Sequence, residues 1–122
     1  MTNIVTYRDL IVWQKSVKLV VLVYQLTDEF PKSEIYGITS QMRRAAISIP
    51  SNIAEGRRRS TRKEFKHFLT NSFESGAELE TQIEIAKLLP FGKNLNYNNL
   101  DSLLEEVMKM LNKMISSLNP TS

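Results

Sequence analysis

Apolar side chains recur along this chain at the spacing that packed helices need. Leu10, Trp13, Val17, Val20 and Tyr24 fall at steps of three and four, which keeps one edge of a helix turned toward a partner. The β-branched residues in this stretch would also suit a strand, but its length decides for a helix over residues 9–27. Asp9 is placed to cap that helix or to sit in its first turn, and Phe30-Pro31 closes either the helix or the linker behind it. Ile11, Leu19, Leu22, Val23 and Leu26 widen the apolar surface and leave a narrow polar stripe through Gln14, Lys15, Lys18 and Gln25. A helix this apolar is expected to meet more than one partner.

Three more seams follow. Ile38, Met42, Ala45, Ile49 and Ile53 predict a helix over 37–58 with Pro50 inside it. Proline removes one backbone N–H and crowds the carbonyl four residues back, that of Ala46, so a kink or break is expected there. Small residues around it, among them Ala45, Ser48, Ser51, Ala54 and Gly56, let a neighbouring helix come close, and the serines and Asn52 are candidates to bond the freed carbonyl. Phe65, Leu69, Ser72, Gly76, Leu79, Ile83 and Ala86 predict a helix over 61–89. Thr61 and Glu64 stand at capping-box spacing at its start, and Pro90 stops it. Ser72 and Gly76 leave room for bulk from a facing helix. Leu100, Leu104, Val107, Leu111, Met114 and Leu118 mark the last helix, 98–118. Four such seams with short connections specify an all-α fold, an antiparallel up-down four-helix bundle with its second helix kinked at Pro50. The 122 residues form a single domain, 1–122.

Composition narrows the chemistry. Cysteine is absent, which excludes disulfides, thiolate metal sites and a cysteine nucleophile. His67 is the one histidine, so no site needing two imidazoles from one chain exists. The longest apolar run, Leu19 to Tyr24, is far short of the about 20 residues that span a bilayer. The first residues, MTNIVTYRDL, lack the basic and apolar blocks of a secretory signal, and a cytoplasmic protein without membrane contact is expected. The net charge of +3 conceals a strong asymmetry, since residues 43–66 carry +6, residues 67–122 carry −3 and the first 42 are neutral.

That asymmetry sets the candidate sites. Arg57, Arg58, Arg59, Arg62, Lys63 and Lys66 form a basic run at the corner between the second and third helices, suited to a phosphate backbone. No aromatic residue interleaves the arginines, so a base-stacking platform is not apparent. A solvated corner, or a contact with the acidic helices of another copy, fits the same run. Glu64 and His67 match one Glu-x-x-His unit of di-iron bundles, but such a site needs two units and further carboxylates; an exposed pair is the ordinary reading. Glu74, Glu78, Glu80 and Glu84 form two like-charged pairs four apart, most simply a solvated or intersubunit face. No cofactor and no metal is expected.

The segments YRDLIVWQKS, FPKSEIYGITSQMRRAAISIPSNIAEGRRRS and KEFKHFLTNSFESGAELETQIEIAKLL strongly resemble the four helix bundle proteins encoded in 23S ribosomal RNA intervening sequences, often labelled S23 ribosomal proteins. The resemblance covers about residues 7–90, with SQMRRAAISIPSNIAEG its most specific block and the last helix matching in pattern. It implies a bundle whose copies assemble into a ring, typically a homopentamer. Related accessory variability proteins of retroelements imply a positively charged ring that holds nucleic acid. By similarity Arg43, Arg44, Pro50, Asn52, Glu55 and Gly56 fall on or within the central motif, with structural or interface roles, and Glu78 and Glu80 on an acidic third-helix motif. Ser75-Gly76 departs from the more usual Gly then Ser. No enzymatic activity and no small-molecule substrate are implied. The expected partners are other copies of the chain and RNA or another nucleic acid; the alternative is a protein scaffold whose arginines serve subunit or partner contacts.

Overall fold

A computed structural model describes residues 6–119. Four α-helices carry the fold: α1 (Ile11–Thr27), α2 (Ile38–Arg57), α3 (Arg62–Leu88) and α4 (Asn98–Ser117). Short 3-10 turns at Tyr7–Asp9 and Lys32–Glu34 precede α1 and α2, and no strand occurs among the described residues. Each helix packs on its neighbours in sequence, and α4 closes the bundle against α1.

Contacts at the helix ends give the directions. Arg43, early in α2, bonds Asp28 at the end of α1, while Tyr7 before α1 meets Arg58 just after α2. Ser75 reaches Ser48, and a turn or two onward Phe68 backs onto Gly56. Lys87 near the end of α3 pairs with Asp101 at the start of α4, and Arg62 at the start of α3 bonds the Ser117 carbonyl at the end of α4. These neighbours therefore run antiparallel. One end of the bundle gathers the turn before α1, the α2–α3 corner and the end of α4.

The seams of α2, α3 and α4 fill the interior as their spacing predicts, with Met42, Ile49, Ile53, Leu69, Leu79, Val107 and Leu111 fully buried. The first seam is different. The buried residues of α1 are Val12, Ser16, Leu19, Val23, Leu26 and Thr27, whereas Trp13, Val17 and Val20 are half-buried and Tyr24 is exposed. The helix is turned by about one residue from the expected face. Ser16 is the reason: a polar residue reads as surface, yet here it is buried and its hydroxyl donates to the Trp13 carbonyl at 2.8 Å. Satisfying the hydroxyl within its own helix removes most of the cost of burying it.

The ends also depart in part from expectation. Asp9 does not cap α1; it belongs to the preceding turn, where Thr6 and Asp9 complete a capping box, and Leu10 precedes α1 with no side-chain cap. Thr61 does cap α3, accepting the Glu64 N–H at 3.1 Å. The other arm differs from the usual box, because the Thr61 hydroxyl donates to the Glu64 carboxylate at 3.0 Å. Leu89, held extended before Pro90, ends α3 as predicted. Helix α2 runs without a break through Pro50, whose side chain is buried. Asn52 bonds the Ser48 carbonyl and hydroxyl at 2.9 and 3.0 Å rather than the carbonyl of Ala46.

Candidate nucleic-acid interface

The predicted basic run lies at the bundle end just described, and each cation is held differently. Arg57, in the last turn of α2, is half-buried; Arg58 and Arg59 follow it exposed. Arg59 pairs with Glu55 at 3.1 Å and lies over the Phe68 ring, 4.8 Å from its centre. Arg62 donates to the Ser117 carbonyl at 3.1 Å, and Lys66 bonds the Asn119 side chain. Positive side chains suit this helix end, the negative end of the α4 dipole. Lys63 is exposed at the same corner. Among the described residues Arg58, Arg62 and Lys63 form no salt bridge.

The fold adds two residues that the sequence placed elsewhere. Tyr7 and Arg8, about 50 positions upstream of the run, come against it. The Arg8 and Arg58 guanidinium carbons lie 4.7 and 5.4 Å from the centre of the Tyr7 ring, inside the reach of a cation–π contact. Trp13 meets Tyr7 edge-on with ring centres 5.2 Å apart. The absence of aromatic residues among the arginines thus holds along the chain and fails in space. Tyr7 and Phe68 are their aromatic neighbours, and only tertiary packing reveals it.

The residues of the central motif separate into different roles. Arg43 is engaged within the chain: it donates to the Thr27 hydroxyl at 2.9 Å, bonds Asp28 at 3.0 Å and lies over Tyr24 at 4.3 Å. Arg44 is exposed on the rim of a groove of about 370 Å³ with Tyr24, Ile35, Ser40 and Ile47. Asn52 secures Ser48 as described, and Gly56 lets the Phe68 backbone side approach, since a Cβ there would lie 2.6 Å from the Phe68 Cβ. Glu78 and Glu80 are exposed on α3, away from the basic end. Neither forms a salt bridge among the described residues.

The weaker candidates stay scattered. Glu64 and His67 are both exposed, and no group of three or more potential metal ligands occurs among the described residues. Glu84 belongs to a small network, since Lys87 bonds both Glu84 at 2.9 Å and Asp101 at 2.7 Å. Those partners hold the Lys87 pKa above its ordinary value, the Asp101 hydrogen bond most strongly and the Glu84 bond next. Nearby, burial raises the pKa of Tyr97. This network ties the end of α3 to the start of α4.

The architecture is that of an all-helical bundle with one cationic end. The chain belongs to the 23S rRNA-intervening sequence protein family, whose model matches residues 8–113. No curated protein matches the sequence. No helix among the described residues is long and apolar enough to cross a membrane.

Proposed function

We propose that this protein is a non-enzymatic, cytoplasmic, oligomeric bundle that binds RNA or another nucleic acid through its cationic end. The observation that carries the reading is the convergence of Arg8 with Arg57, Arg58, Arg59, Arg62, Lys63 and Lys66 at one end of the bundle. Several guanidinium groups on one surface neutralise successive phosphates, and phosphate contacts carry affinity without reading sequence. In a ring, five copies in the assembly that the family resemblance favours, the patch is repeated. Individually weak contacts then act together through effective concentration.

A second reading, a protein scaffold, draws on the exposed apolar side chains Tyr24, Ile35, Tyr36 and Ile47 beside Arg44. The two readings separate in one experiment. After nuclease treatment the protein is mixed with labelled RNA at several salt concentrations, and its mass is measured by light scattering. The nucleic-acid reading expects binding that weakens steeply with salt and is lost in a variant carrying Arg58→Glu, Arg62→Glu and Lys63→Glu, with the mass unchanged. Arg57 is left alone because it is half-buried. Wild-type binding by that variant would remove the patch; dissociation into monomers would give the arginines to the subunit interface and favour the scaffold.

A further inference from the structure

Two exposed surfaces of the bundle stay uncovered within the chain, and they are unlike each other. The first lies at the start of α2, where Arg44 and Ile47 border the groove with Tyr24 and Ile35. Tyr36, next to Ile35 in the chain, is almost fully exposed. The second surface is the outer face of α3. Glu74, Glu78, Thr81, Ile85 and Leu88 follow one another there at steps of four and three, and all five are exposed, so they form a single stripe along the helix. Its first half is acidic and its second half is apolar, with Leu88 84% exposed. Among the described residues Arg44, Glu74 and Glu78 form no salt bridge.

The register of α2 against α3 relates the two surfaces. Ser75 bonds Ser48, Ser72 bonds the Ile49 carbonyl, and the two helices run antiparallel. Arg44 lies four residues before Ser48 and Glu78 three after Ser75. At about 1.5 Å per residue, Arg44 and Glu78 therefore stand at nearly the same height along the bundle. Ile35 and Tyr36, before α2, and Ile85 and Leu88, late in α3, share the end beyond them. Rotation about an axis parallel to the helices changes no height. A neighbour generated by such a rotation offers acid to cation and apolar side chain to apolar side chain.

We infer that copies of this chain join head to tail, the start of α2 in one copy against the outer face of α3 in the next. Arg44 pairs with Glu78 of the next copy, and Ile35 and Tyr36 pack on its Ile85 and Leu88. Contacts between two different surfaces close into rings when the rotation allows it, and this one leaves every cationic end on the same side of the ring. The inference rests on the oligomeric part of the reading above and adds to it the two surfaces and their register.

The test follows the mass of the full chain by light scattering at micromolar concentration. The wild type is expected to be larger than a dimer. Arg44→Glu and Glu78→Arg should each weaken association by about tenfold, because like charges then face each other across the contact. Mixed in equal amounts, the two variants should associate again, and one chain carrying both changes should recover as well. Leu88→Ser, which alters no charge, should also lower the mass. Circular dichroism checks that each variant keeps its helices. Unchanged masses in both charge variants, or in Leu88→Ser, would overturn the contact and leave the oligomer in place. Loss of association without recovery on mixing would overturn it too, since the charges would then not meet between chains. A wild type no larger than a dimer would overturn the head-to-tail arrangement. A monomeric wild type would overturn both the contact and the oligomeric reading.

Discussion

The Ser72 hydroxyl donates a hydrogen bond to the Ile49 carbonyl, 2.9 Å away across the buried interface of α2 and α3. That carbonyl belongs to the peptide joining Ile49 to Pro50, so a side chain of one helix is tied to the backbone of the next beside its proline. Ser72 is fully buried, and its small size allows the close approach. Ser72→Ala is expected to lower stability by about 1 kcal/mol, the usual net worth of such a bond. Ser72→Val adds overpacking to the lost bond and should cost about 1–3 kcal/mol more. Urea denaturation compares them, and a silent Ser72→Ala would show that the bond contributes nothing.

Two glycines respond to an added methyl in different ways. At Gly56 a Cβ would lie 2.6 Å from the Phe68 Cβ, and at Gly76 it would lie 2.2 Å from the Met108 sulfur. The first obstacle is anchored to a backbone; the second is in a flexible side chain. Alanine gains about 1 kcal/mol over glycine inside a helix, which offsets part of the repacking at Gly76. Gly56→Ala should therefore be the more destabilising by about 1–2 kcal/mol, in the range of overpacked sites. Denaturation midpoints that placed Gly76→Ala lower would contradict this.

The core assignment is tested at two leucines. Leu69 and Leu111 are fully buried on α3 and α4, and truncation of either to Ala should cost about 2–5 kcal/mol. A loss below about 0.5 kcal/mol at both, as at surface positions, would place these seams elsewhere.

Stability should fall in alkali. Lys87 has its pKa raised above 10.5 by Asp101 first and Glu84 second, so its contribution is complete below about 10.5 and is lost as pH rises through the higher folded value. Tyr97 acts in the same direction: burial raises its pKa above 10.0, so the unfolded chain releases the phenolic proton first and is favoured as pH rises. Lys87→Met should weaken the pH dependence above about 10. Thermal melts at pH 8, 10 and 11, approximate points about these ionisations, read the slope, and an identical slope in the variant would remove Lys87 from the account.

Association should depend on the groove between α1 and α2. Ile47 is 42% exposed there and Tyr36, just before α2, is 95% exposed. An apolar surface of this kind favours contact with another chain. Ile47→Glu is expected to shift the mass measured by light scattering toward the monomer at micromolar concentration, with helical circular dichroism unchanged because Ile47 lies outside the core. An unaltered mass would place the interface on another surface.

The sequence by itself determined the class of the fold. Three of the four seams, from Ile38 to Leu118, lie on the buried faces that their spacing specified, because one apolar stripe on an otherwise polar helix has only one way to face a core. The stop at Pro90 and the Thr61 cap are likewise local, set by a proline ring and a side-chain oxygen within a few residues. What the tertiary structure decided begins with α1. Nearly every face of that helix is apolar, so periodicity leaves its rotation open, and packing turned Ser16 inward with Leu19 and Val23. Helix α2 likewise runs on through Pro50, whose side chain is buried, where the ring by itself predicts a kink or break. The candidate site shows the same division. The run from Arg57 to Lys66 is visible along the chain, since it depends on neighbouring residues alone. Its union with Tyr7 and Arg8 is not, because those residues reach the arginines only when α1 and α2 run antiparallel and bring the start of one beside the end of the other.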